Sequence, residues 1–242
     1  FSGSSRGQPK EWHVDNFFKG EPLMMSLNSD RLKRLNVFIK AANSRWSSGI
    51  SVRGIPQEGA HVEIEEAVDS HSKQPPRLYE LSLIKSGAKN IFSRTQVITI
   101  VPRYVLVNNT DKTVFLRQEG DAREYKLEPY EHAPFHWPNA RKDKLLRFRI
   151  DKNKCNWSGT FTIENTDYFT VQMLDEDLPK SYVMRVRIKI EQGIMIVNFV
   201  EETNNALYRI ENGLSDSIFV QQQVCHTYTF ALEFFYLTSF IL

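Results

Sequence analysis

YVLVNNTDKTVFLRQ, residues 104–118, returns in altered form as YRIENGLSDSIFVQQ at residues 208–222. Without a gap, Tyr104 falls on Tyr208, Asn108 on Asn212, Phe115 on Phe219 and Gln118 on Gln222. A second echo lies upstream. LNVFIKAANSRWSSGISV at 35–52 matches LRFRIDKNKCNWSGTFTI at 146–163, which puts Trp46 on Trp157 and Ser47 on Ser158. The two offsets, 104 and 111 residues, nearly agree. A unit of about 100 residues therefore recurs, and repeat architectures more often present surfaces than a single reaction pocket.

The pattern inside the unit is that of strands. VITIVPRYVLV at 97–107, TVFLR at 113–117, LLRFRI at 145–150, TFTI at 160–163 and YFTVQML at 168–174 are rich in β-branched and aromatic residues. YVMRVRIKI at 182–190 alternates: Met184, Val186, Ile188 and Ile190 share one face, and Val183, Arg185, Arg187 and Lys189 the other. That spacing predicts a half-buried strand with a basic outer face. IMIVNFV at 194–200 is its expected partner across a tight turn at Glu191-Gln192-Gly193. Pro102 implies an edge or a bulge. No long window carries a helical period; in SDRLKRLNVFIKAA at 29–42 the second half aligns with a strand.

Fold class follows as all-β, in tandem antiparallel β-sandwich modules. Residues 1–96 are expected to form a partial first module with a mobile loop over 55–77 and a short strand at 61–65. Residues 97–200 form a second. Residues 201–242 begin a third and end in an apolar tail, VCHTYTFALEFFYLTSFIL. The tail reads as one or two terminal strands; its 19 residues also approach a membrane span, against which stand His226 and Glu233. The polar, glycine-rich first twenty residues are expected to be partly disordered, and a start at Phe1 reads as a fragment or a processed piece.

With 41% hydrophobic residues the chain has enough to build cores. Lys plus Arg number 31 and Asp plus Glu 29, a balance that gives no electrostatic case for a dedicated nucleic-acid binder. Two widely separated cysteines, Cys155 and Cys225, fit a reducing compartment rather than a disulfide scaffold. Catalytic motifs are absent: there is no nucleophile elbow, phosphate loop, dinucleotide fingerprint or CxxC. His132 and His136 have helical ligand spacing, but Pro134 between them argues for loop or edge strand. Asp175, Glu176 and Asp177 lack the spacing of a calcium loop. The expectation is therefore a non-enzymatic chain with no metal and no cofactor.

The remaining marked residues are framework candidates. Trp46 and Trp157 are expected in the cores of equivalent modules; Trp12 and Trp137 have no repeat partner, so either is free to be exposed. Asn108 and Asn212 each end a strand before a turn and are expected to cap it, or to lock a module junction that frames a groove. Tyr104, Phe115, Tyr208 and Phe219 serve equally as groove walls or as core.

The strand VITIVPRYVLVNNT, the downstream Phe115 and Gln118, and then Leu127, Pro129, Pro134, Phe135, His136 and Trp137 resemble the adaptor-binding (SHR-binding) domain of the vacuolar protein sorting thirteen family. The likeness is best over 97–223. It implies a row of β-sandwich modules, each with an asparagine matched here by Asn108 and Asn212. It further implies recognition of Pro-x-Pro motifs in organelle adaptor proteins, recruiting a bridge-like lipid-transfer protein to membrane contact sites. The expected place is cytoplasmic and peripheral to organelle membranes, with the lipid groove elsewhere and no nucleic-acid partner. Two other readings of the sequence are a lectin-like sandwich and a peripheral membrane domain using the tail or the Arg185/Arg187/Lys189 face.

Overall fold

The computed structural model describes residues 36–56, 59–67, 74–88, 95–150, 155–174, 181–202 and 212–219. Thirteen strands run through them, with no α-helix among the described residues. Two apolar cores form, one on each side of a polar junction.

The first core lies between β1 (Asn36–Val37) paired with β2 (Ile50–Ser51), and a sheet ordered β3 (Ala60–Glu65), β4 (Leu78–Gly87), β5 (Gln96–Pro102). Ile39, Ile55, Val62, Ile64, Leu81 and Leu83 fill it. β3 realises the short strand expected at 61–65, and Pro102 ends β5 at the sheet edge, where its missing N–H costs no ladder bond. β4 was not foreseen. Glu80, Leu81, Ser82 and Leu83 are all buried, because β4 is covered on both faces. Leu81 and Leu83 enter the core, while Glu80 and Ser82 face the second module, so the Glu-Leu-Ser-Leu alternation in the letters separates two buried faces and not a wet face from a dry one.

The second core is larger. A sheet ordered β11 (Asp167–Leu174), β12 (Ser181–Glu191), β13 (Ile194–Glu201), β6 (Tyr104–Asn108), β9 (His132–Phe135) faces a sheet ordered β10 (Leu146–Ile150), β7 (Val114–Gln118), β8 (Glu124–Leu127). Leu106, Leu116, Phe148, Met184, Val186, Val197 and Phe199 meet between them, all at 0% exposure. Burying each such side chain stabilises the fold by about 1.5–3 kcal/mol. The β12–β13 hairpin forms as expected, with Gln192 and Gly193 both at positive φ, 49° and 79°. Two adjacent left-handed residues match the twist of the flanking strands. The β13–β6 pair is parallel, the one such pair among the described strands.

Several expectations change. TFTI at 160–163 makes a single bridge, Phe161 to Leu146, because the Thr162 hydroxyl accepts the Glu164 N–H and turns the chain. Trp137 is fully buried and packs edge-on against Tyr104 and Phe135. Trp46, expected in a core, is 51% exposed, and Trp157 is half-buried under the guanidinium groups of Arg117 and Arg149. The true repeat element there is the following serine. Ile39 N–H donates to Ser47 Oγ and Phe148 N–H to Ser158 Oγ, while each serine N–H returns to the same carbonyl, Ile39 or Phe148. Ile39 therefore corresponds to Phe148, two residues before the Ile150 that a gapless match assigns it. The expectations for 1–35, Asp175–Asp177, Tyr208, Gln222, Cys225 and the 224–242 tail lie outside the described residues.

Candidate functional site

Asn108 stands at the end of β6, at the corner where the two sheets of the second module meet. It is fully buried. Its amide nitrogen donates to the carbonyls of Lys112 (2.8 Å), Leu127 (3.2 Å) and Glu128 (2.8 Å). Its oxygen accepts from the Thr110 N–H (3.1 Å) and hydroxyl (2.7 Å). Every hydrogen-bonding position of the amide is used, the condition for burying one without a penalty. The side chain thus ties β6 in one sheet to the β7–β8 hairpin in the other.

Asn212 repeats the local half of this arrangement. Its amide donates to Asp216 O four residues on (2.8 Å), as Asn108 does to Lys112 O. Its oxygen accepts the N–H two residues on, from Leu214 at 3.0 Å, as Asn108 accepts from Thr110. The repeat is therefore a repeat of hydrogen bonds as well as of letters.

Tyr104 and Phe115 lie in the core, 1% and 8% exposed, so neither faces an open groove. Phe219 is 70% exposed. Gln118, marked by the repeat but not singled out above, is the second buried amide of the module. It donates to the carbonyls of Asn139, Lys142 and Asp143 at 3.0–3.2 Å and accepts the Asn139 N–H, which fixes the 139–143 loop. In the same turn Arg123 holds the Asp121 carboxyl down to about 2, against the opposing effect of its burial.

The junction between the modules carries a charged cluster that the sequence did not disclose. Glu80 is 0% exposed. His61 Nε2 lies 2.8 Å from one carboxylate oxygen and Lys144 Nζ 2.7 Å from the other. Burial opposes ionisation of Glu80, but these two partners outweigh it and hold the carboxyl below its ordinary value. Lys144 also meets Glu63 at 2.6 Å and Glu164 at 3.5 Å. His61, Glu63 and Glu80 offer ligand-type atoms within 4.8 Å of one another. The Lys144 ammonium supplies the positive charge there, which makes the group an ion-pair network. His132 is exposed, whereas His136 stacks on Tyr79 at 5.1 Å and burial lowers its pKa, so the two histidines share no site.

The basic face of β12 is largely compensated: Arg185 pairs with Glu202 at 2.8 Å and Lys189 pairs with Glu191. No helix among the described residues is long and apolar enough to cross a membrane. What stands open is strand edge. β11 has a partner on one side only among the described strands, and its outward residues Tyr168 (62% exposed), Thr170 and Gln172 flank eight residues of backbone.

A family model described as "Vacuolar-sorting associated protein 13, adaptor binding domain" matches residues 4–228. The chain is similar to the intermembrane lipid transfer protein vps13D of Dictyostelium discoideum, 34% identical over 152 residues, 61% of this chain and 3% of that protein. It is similar to vps13E of the same organism, 24% identical over 234 residues, 89% of this chain and 5% of that one. The Homo sapiens intermembrane lipid transfer protein VPS13D is 26% identical over 164 residues, 64% of this chain and 4% of the human protein. The chain thus spans a few per cent of the length of the curated relatives it matches.

Proposed function

The chain belongs to the adaptor binding domain family of vacuolar-sorting associated protein 13, and from that premise we propose that it is a targeting segment of an intermembrane lipid transfer protein. The family match over residues 4–228 carries this reading. The domain type is a binding one and not a catalytic one. In the proposed role it recognises short Pro-x-Pro segments of organelle adaptor proteins and places the parent protein, peripherally, at membrane contact sites.

The geometry supports a mode of binding by strand addition. An extended peptide laid along β11 gains main-chain hydrogen bonds from the open edge, and alternate side chains face the sheet surface. Proline lacks an N–H, so Pro-x-Pro presents its prolines at alternate positions facing away from the ladder's needs. Tyr168 offers an exposed ring for one of them to pack against. Asn108 and Asn212 act as framework: they hold the corners of successive modules and touch no ligand. Of Tyr104, Phe115 and Phe219, the candidate wall residues that are described, Phe219 is the one open to solvent.

The test is titration of fluorescent Pro-x-Pro peptides into the intact parent domain and into this chain, with Tyr168→Ala alongside. Binding that weakens at least tenfold in the variant supports the β11 edge. Absence of binding by the intact parent domain sinks the peptide reading.

A further inference from the structure

We propose that Glu80 and Lys144 form an orienting latch that fixes the β3–β4–β5 sheet on the second sandwich, so that the two modules move as one rigid unit. The proposal is independent of which ligand the domain takes.

The two apolar cores are separate clusters. Apolar contact is non-directional and tolerates sliding; the junction between these cores is instead polar and directional. Ser82 Oγ donates to Gly193 O at 2.7 Å, Arg103 Nη1 donates to the same carbonyl at 3.1 Å, Leu78 N–H to Trp137 O at 2.9 Å and Ala140 N–H to Pro76 O at 2.8 Å. At its centre is a fully buried carboxylate. Such a group is tolerated only where opposite charge meets it at close range. Its own module supplies His61 from β3, and the other module supplies Lys144 from the loop before β10.

The other charged and titratable groups around it come from several elements. Glu63 on β3 and Glu164 in the loop before β11 share the Lys144 ammonium. Tyr104 at the start of β6 faces Glu80, and burial together with that carboxylate raises its pKa. Arg103 acts on Tyr104, and His136 lies between the influences of Glu80 and Arg77. The set is satisfied in one relative placement of the modules. A rotation or slide of a few ångströms would leave Glu80 buried without its ammonium, an outcome more costly than losing an apolar contact of the same size.

The test places spin labels at Ser86→Cys on β4 and Gln172→Cys on β11, in the full chain with Cys155→Ser and Cys225→Ser, and reads the distance distribution between them. The unaltered junction is expected to give one narrow distribution. Glu80→Leu combined with Lys144→Leu replaces the latch by apolar contact of similar volume. It is expected to keep the β circular dichroism signal while broadening the distribution at least twofold. Lys126→Met, which removes the exposed Lys126–Glu128 pair at the Asn108 end of the second sandwich, is expected to leave the width unchanged. A double-leucine chain with the original width overturns the proposal. If the double variant does not fold, Glu80→Gln, which keeps the shape and removes the charge, is read in its place: broadening supports the latch, and an unchanged width overturns it.

Discussion

Asn108 and Asn212 begin the same turn and live in different surroundings. Each donates to the carbonyl four residues on and accepts the N–H two residues on. Among the described residues, Asn108 adds the Thr110 hydroxyl and the carbonyls of Leu127 and Glu128 and is fully buried, whereas Asn212 is half-buried. The local bonds, the Thr110 hydroxyl included, are set by five consecutive residues, whereas the two to the Leu127 and Glu128 carbonyls need the β8–β9 corner to arrive from 19 and 20 residues away. A turn can thus be written in sequence and still differ in weight, depending on what folds against it.

Removing the amide should separate the two most. Asn108→Ala takes their side-chain donor from the Leu127 and Glu128 carbonyls and the acceptor from the Thr110 N–H, while Lys112 O keeps the Thr110 hydroxyl; each group so exposed costs about 1–3 kcal/mol less whatever local relaxation recovers. We expect a net loss of about 3 kcal/mol by urea denaturation, enough to leave a fraction of the chain unfolded. Asn212→Ala should cost under about 1 kcal/mol, since its partners keep access to water. Equal losses would show that burial does not decide the difference. Gln118→Ala should fall close to Asn108→Ala, at about 2 kcal/mol, because it takes their side-chain partner from the Lys142 and Asp143 carbonyls and the Asn139 N–H.

The next effect down is a response to acid. The folded pKa of Glu80 lies below its ordinary value of 4.5. A group depressed in the folded state adds stability that is fully present above its unfolded pKa and is lost as pH falls through the folded one. Asp121 behaves alike over a lower window, between 3.8 and about 2. Stability should therefore be level above about pH 5 with respect to these groups and fall below it. Glu80→Gln should flatten the upper part of that fall and leave the part belonging to Asp121. A profile unchanged by Glu80→Gln would show that the junction carboxylate contributes nothing to acid lability.

The same contrast explains what could be read from the letters. Alternation and turn chemistry announce the β12–β13 hairpin and the Asn108 turn because both are local: a period of two, a glycine, an asparagine with its carbonyl four residues on. The junction was not legible. Glu80 and Ser82 sit mid-strand as polar residues, and nothing nearby in sequence says that Lys144 and Gly193 wait for them. Glu80 to Leu83 alternate as a strand does, but the letters give the polar face as a wet one, so its burial was the part that could not be read. The tryptophans misled for another: the serine after each makes the repeating bonds, and the ring itself takes whatever lies next to it. Family membership was legible because it rests on short phrases such as PFHW at 134–137, whose Phe135 and Trp137 prove to be core. The β11 edge was not, because openness is a property of the sheet and not of its residues.

The smallest expected effect concerns those rings. Trp157 has the guanidinium carbons of Arg117 and Arg149 at 4.3 and 4.6 Å from its centroid. Trp46 is 51% exposed. A guanidinium over an indole contributes about 0.5–1 kcal/mol at a partly exposed site, so Trp157→Phe should cost about 1 kcal/mol and Trp46→Phe less than about 0.5. Fluorescence gives the same contrast without relying on so narrow a margin. With Trp137 sealed in the core, iodide should quench the Trp46 component strongly and the Trp157 component less. Because iodide is an anion drawn toward Arg117 and Arg149, repeating the measurement with neutral acrylamide separates access from attraction. If Trp157 is quenched more than Trp46 by both agents, the stacked arrangement is wrong. If it is quenched more by iodide alone, the guanidinium groups are there and gather the quencher.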